Sequence, residues 1–164
     1  MNERVRLAME YRKKGYNCTQ AVIGVFSLEL GLPPELVFKI SEGFGAGMGD
    51  TRGICGAISG AIMTAGLKNS LGPAQPVTKG STYRLAKEIQ EEFLKKNGTV
   101  VCRELKGVDT GEMIRSCEGC IEDAVRIAES VLFGKEVCQV SESEMRGGEA
   151  DLGGAGKRSQ VQKQ

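Results

Sequence analysis

The chain has 164 residues, and its 22 Lys and Arg against 21 Asp and Glu leave a net charge of +1, with no basic stripe interleaved with aromatics for a nucleic acid to follow. Six cysteines and no histidine exclude Ser-His-Asp and Cys-His catalysis, His-ligated haem and mixed Cys/His zinc sites, so any chemistry falls to thiols, carboxylates, Lys/Arg or a bound cofactor. The charged start MNERVRLAMEYRKKGYNC has no apolar h-region and the longest nearly apolar run, Ile54–Leu67, has 14 residues, so a cytoplasmic protein with no membrane span is expected.

In chain order the pattern is helical nearly throughout. Residues 2–14 place Val5, Leu7, Ala8 and Tyr11 on one side of a short helix that Gly15 stops. Asn17 can cap a second helix in which Cys18, Ala21, Val22, Val25 and Leu28 follow helical spacing. Pro33-Pro34 opens a short helix to about Ile40, with proline where its missing N–H costs little. Residues 43–53 read as a glycine-rich loop, and Asp50 or Thr51 can cap the helix that follows, from Gly53 to about Leu67. Residues 76–96 predict a long helix with Tyr83, Leu85, Ala86, Ile89, Phe93 and Leu94 inward, stopped by Asn97-Gly98. A short connector, 100–106, carries Cys102, and the last helix is expected over 110–133. Beyond residue 137 the sequence is Gly-, Ser- and charge-rich, which predicts a disordered tail over 138–164. The expected fold is therefore all-α: a single helical domain, 1–137, of about five or six helices.

Cys55 is the central candidate. It lies in GFGAGMGDTRGICGAISGAIMTAGL, a run of 25 residues with eight glycines. Near a helix N-terminus and close to Arg52, unpaired N–H groups and a cation would both favour thiolate, the form that attacks disulfides or ligates metals. The alternative is a small cysteine that merely packs. Gly56 and Gly60, four apart, bare one helix face so that another helix, or the flat edge of a cofactor, can approach the backbone. The loop lacks the GK[ST] ending of a phosphate loop and the G-x-G-x-x-G dinucleotide spacing. Cys117 and Cys120 form a C-x-x-C pair on one side of a helix, able to bridge or share a metal, but Ile121 follows where covalent haem attachment needs histidine. Cys18 lies on an apolar helix face, as Cys117 does, so Cys18, Cys55, Cys102 and Cys117 can point into a common interior.

Four blocks, YNCTQAV, GICGAISGA, CRELKGVD and SCEGCIEDAVRIAE, resemble in order and content the redox-active proteins named for the cysteine pattern C_GCAxxG_C_C, over Tyr16 to Glu129. Here the central block reads CGAxxG, a departure from the order in that name. The resemblance assigns the family's four cysteines to Cys18, Cys55, Cys102 and Cys117 and leaves Cys120 and Cys138 outside the set. It implies a small helical protein with redox or cofactor-binding activity. Three readings follow. The first is a thiol-dependent oxidoreductase in which Cys55 attacks and another of the four resolves, with a redox partner protein or a small thiol or disulfide as partner. The second is a metal site on Cys18, Cys55, Cys102 and Cys117 holding an iron–sulfur cluster or zinc, although such cysteines usually lie closer in sequence. The third is a helical interaction module whose cysteines only pack.

Overall fold

A computed structural model describes residues 2–134. Among them, six helices of eight or more residues form the all-α bundle: α1 (Glu3–Lys13), α2 (Cys18–Ser27), α3 (Pro34–Ser41), α4 (Gly56–Asn69), α5 (Lys79–Asn97) and α7 (Cys117–Leu132). A single turn, α6 (Cys102–Leu105), lies between α5 and α7. The expected tail from residue 138 and its boundary at 137 lie outside the described residues, as does Cys138.

Local chemistry sets the helix starts. The Asn2 side chain accepts the amides of Arg4 and Val5 to open α1. Asn17 and Gln20 form a reciprocal capping box at α2, each side chain taking the other's backbone N–H. Ser116 accepts the Gly119 amide to open α7. That start is later than the residue 110 expected, because Gly111 takes a left-handed φ of 75° within an irregular stretch before the cap. The long helix likewise begins at Lys79 rather than near residue 76, after turns around Gly72 and Gln75.

Helices α2 and α4 pack face to face, α7 covers both, and α1 and α5 flank them. Ala21, Val22, Val25 and Phe26 of α2 meet Ala57, Ile58, Ala61 and Ala65 of α4. Ile121, Ala124, Val125 and Ala128 give α7 the i, i+3, i+4, i+7 stripe that closes this core. Each large apolar side chain buried here contributes roughly 1.5–3 kcal/mol. The inward stripe of α5 is narrower than its sequence suggests. Ile89 and Phe93 are buried, whereas Tyr83 and Leu94 are exposed, because only one side of α5 meets α4 and α7. No helix among the described residues is long and apolar enough to cross a membrane.

Candidate functional site

One end of the bundle gathers thiols. Cys55 is the residue that caps α4, so that helix begins at Gly56 rather than at Gly53. Its amide donates to the Val100 carbonyl (2.8 Å), the Cys102 amide donates to the Gly53 carbonyl (3.0 Å), and the Arg103 amide donates to the Thr51 carbonyl (2.8 Å). With the isolated antiparallel bridge between Ile54 and Val101, these bonds lay 51–55 against 100–103 and set Cys55 and Cys102 side by side. Cys18 opens α2, and Cys117 and Cys120 lie in the first turn of α7.

All five surround one cavity of about 150 Å³. The four cysteines expected to converge do so, and Cys120 joins them. None of the five is in a disulfide; Cys55, Cys102 and Cys120 are buried, while Cys18 and Cys117 are half-buried. The glycine-rich loop closes over this end through three non-glycine residues in the left-handed region, Ala46 (φ 50°), Met48 (φ 64°) and Thr51 (φ 68°). Each costs roughly 1–3 kcal/mol, and such strain concentrates at functional sites. Ala46 itself lines the cavity.

The thiols are electrostatically unequal. A hydrogen bond from the Cys120 thiol lowers Cys55 to about 7, against the opposing effect of burial, with further help from the Ala57 and Ile58 amides and Lys106. The same bond, together with burial, pushes Cys120 upward. Burial raises Cys102 to about 11 and also raises Cys18. The helix terminus therefore acts on Cys55 as its position suggests, but the cation does not. Arg52 is turned to the Asp50 carboxylate 2.5 Å away, and Lys106 takes the place expected of it.

The bare face of α4 is taken by α2. A methyl on Gly56 would lie 2.5 Å from Cys18 Sγ, 2.6 Å from Thr19 Oγ1 and 2.9 Å from the Phe44 carbonyl; one on Gly60 would lie 2.8 Å from the Thr19 carbonyl. Both glycines thus serve close helix packing, and Gly56 seats Cys18 against the cavity wall. Gly119, inside C-E-G-C, is covered in a different way: its missing side chain leaves room for the Arg115 guanidinium, whose Nε would be 2.5 Å from a Cβ there. Arg115 is held by a bidentate bond to Asp123, at 3.0 Å through both Nε and Nη2. Asp123 is 0% exposed and also meets Lys96 (2.6 Å) and Asn97 (3.3 Å). Burial would raise this carboxyl, yet Lys96, Arg115 and Asn97 hold it below its ordinary value.

Sequence reasoning missed Cys120, Lys106, Arg12 and Arg115 as cavity residues. The glycine within C-E-G-C and the lysine four residues after Cys102 were the available signals. Among the described residues, no three or more Cys, Asp or Glu side chains are assembled to hold one metal ion.

A family model described as "Putative redox-active protein (C_GCAxxG_C_C)" matches residues 16–131, more than half of the chain. No curated protein and no solved structure matches it.

Proposed function

Because the chain belongs to the C_GCAxxG_C_C family, we propose that it is redox-active and works by dithiol–disulfide exchange, with Cys55 attacking and Cys120 resolving. The observation that carries this reading is that Cys55 and Cys120 share one cavity wall, where their interaction lowers Cys55 and raises Cys120. Exchange needs two sulfurs in contact.

The Cys55 thiolate attacks one sulfur of a disulfide, forming a mixed disulfide and expelling a thiolate that takes up a proton. Bonding cancels the negative charge on Cys55. The hydrogen bond and the charge that kept Cys120 protonated both vanish with it, so the second thiol becomes easier to ionise only after the first has reacted. Cys120 then gives its proton to solvent or the departing thiolate and attacks Cys55 Sγ. The second substrate thiolate leaves and a Cys55–Cys120 disulfide remains. Two electrons pass from protein to substrate, and an external dithiol resets the pair. Cys18 and Cys102, raised by burial, stay as thiols in the wall. A small disulfide or a partner protein in a reducing, cytoplasmic setting would suit this chemistry.

Single-turnover reaction with 2-hydroxyethyl disulfide tests the roles. The unaltered protein should end with Cys55 and Cys120 joined, Cys120→Ala should stop at a mixed disulfide on Cys55, and Cys55→Ala should form neither. An adduct trapped on Cys18, Cys102 or Cys117 instead would contradict the assignment.

A further inference from the structure

The cavity wall carries charge of one sign. Among the described residues its ionic side chains, the thiols aside, are Arg12, Lys106 and Arg115, with no carboxylate in the lining. These cations are not equally available. Arg115 is compensated from behind by the fully buried Asp123. Arg12 donates through Nη1 to the Tyr16 carbonyl (3.1 Å) and has Glu118 3.6 Å from Nε, but Nε itself is buried with no hydrogen-bond partner. Lys106 is exposed at the cavity rim, and no salt bridge to it is found among the described residues. A buried Arg12 Nε that makes no hydrogen bond, and an ammonium at the rim of the cavity that holds Cys55, are what an incoming anion would satisfy.

Size limits the ligand as well. A volume of about 150 Å³ is that of a cavity able to hold a benzene-sized molecule, about six heavy atoms. One arm of a small disulfide, a sulfur, two carbons and a carboxylate, has that size. A peptide loop would not be enclosed.

Resting on the exchange reading above, we infer that the substrate is a small anionic disulfide, with a carboxylate or sulfonate a few atoms from its S–S bond, and that Lys106, with Arg12, binds that anion. The acid group seats against Lys106 while the scissile sulfur faces Cys55. The electron balance is that of exchange: the Cys55–Cys120 dithiol is oxidised to its disulfide, and the substrate is released as two thiols, each carrying its acid group.

The test compares three small disulfides in single turnover at pH 7: 3,3′-dithiodipropionate (anionic), 2-hydroxyethyl disulfide (neutral) and cystamine (cationic). Each rate is divided by that of the same disulfide with free mercaptoethanol, which removes intrinsic reactivity. The expected order is anionic, neutral, cationic, with at least about a tenfold span between the ends that shrinks in 1 M salt, where the Debye length falls to about 3 Å. Lys106→Gln should cut the anionic-to-cationic ratio several-fold. That ratio separates binding from any effect on Cys55 ionisation, since both disulfides meet the same thiolate. A ratio near one in the unaltered protein overturns the anion preference and leaves exchange standing; a high ratio that survives Lys106→Gln removes Lys106 from the assignment. Failure of all three disulfides to oxidise Cys55 removes the exchange reading itself. Should Lys106→Gln not fold, the salt dependence of the unaltered protein still decides the electrostatic claim.

Discussion

Replacing Cys120 with alanine should change the pH profile of Cys55 in a way that simple loss of stability cannot imitate. Cys55 is lowered from 9.0 to about 7, with the Cys120 hydrogen bond as the largest cause. At pH 7 about half of the unaltered Cys55 is then thiolate, against about one part in a hundred for an ordinary thiol. Removing the bond while the Ala57 and Ile58 amides and Lys106 remain should raise the inflection by between one and two units. Ionisation alone would slow Cys55 at pH 7 by roughly 5- to 50-fold. A more basic thiolate is also a better nucleophile, by a factor of about 2.5 to 10 over that range for a Brønsted slope of 0.4–0.5. The net expectation is a variant roughly two- to eightfold slower at pH 7 and roughly 2.5- to tenfold faster above pH 10. The assay is the rate at which Cys55 loses its free thiol to a small disulfide, quenched at intervals and read on the Cys55 peptide by mass spectrometry. Profiles with the same inflection, or without a crossover, would refute the claim that Cys120 activates Cys55.

Two further predictions concern the scaffold. Gly56→Ala should destabilise the protein by about 1–3 kcal/mol in urea unfolding, because the added methyl would meet Cys18 Sγ, Thr19 Oγ1 and the Phe44 carbonyl within 3 Å. A neutral or stabilising result, as helix propensity alone would give, would mean that α2 does not pack as described. Asp123→Asn should cost up to about 3–5 kcal/mol by leaving Arg115 and Lys96 without their buried carboxylate. Because the folded-state value of Asp123 lies below its ordinary 3.8, its contribution is present above that pH and is lost as pH falls through the folded value. The unaltered protein should therefore lose urea stability on acidification below about pH 4 by a step that the variant lacks, and identical acid limbs would count against the network.

The division between what could and could not be read from the chain follows contact distance in sequence. Asn17 before α2, Pro34 at the start of α3 and Gly98 after α5 act on backbone within a few residues, so these signals were legible and the all-α fold with them. The convergence of Cys18, Cys55, Cys102 and Cys117 was legible in part, from Cys18 and Cys117 on apolar helix faces and Cys55 near a helix start, whereas the helix start at Cys102 was not. The pairing of Cys55 with Cys120 was not. C-x-x-C spacing ties Cys120 to Cys117, whereas the packing of α7 on α4 brings Cys120 to Cys55 and leaves Cys117 half-buried. The exchange of Arg52 for Lys106 has the same origin. Asp50 captures Arg52 locally, and only the pairing of 51–55 with 100–103 brings Lys106 into reach of Cys55. Residues on either side of that pairing are some 50 positions apart in the sequence, and no periodicity announces the contact.

The most direct test of the exchange mechanism is anaerobic purification, with metal content and free thiols measured on one sample before and after mild oxidation, followed by disulfide mapping. Dithiol exchange predicts metal-poor protein that loses two thiols on oxidation and yields a Cys55–Cys120 cross-linked peptide. Stoichiometric iron or zinc with masked thiols, or a cross-link that omits Cys55, would contradict it.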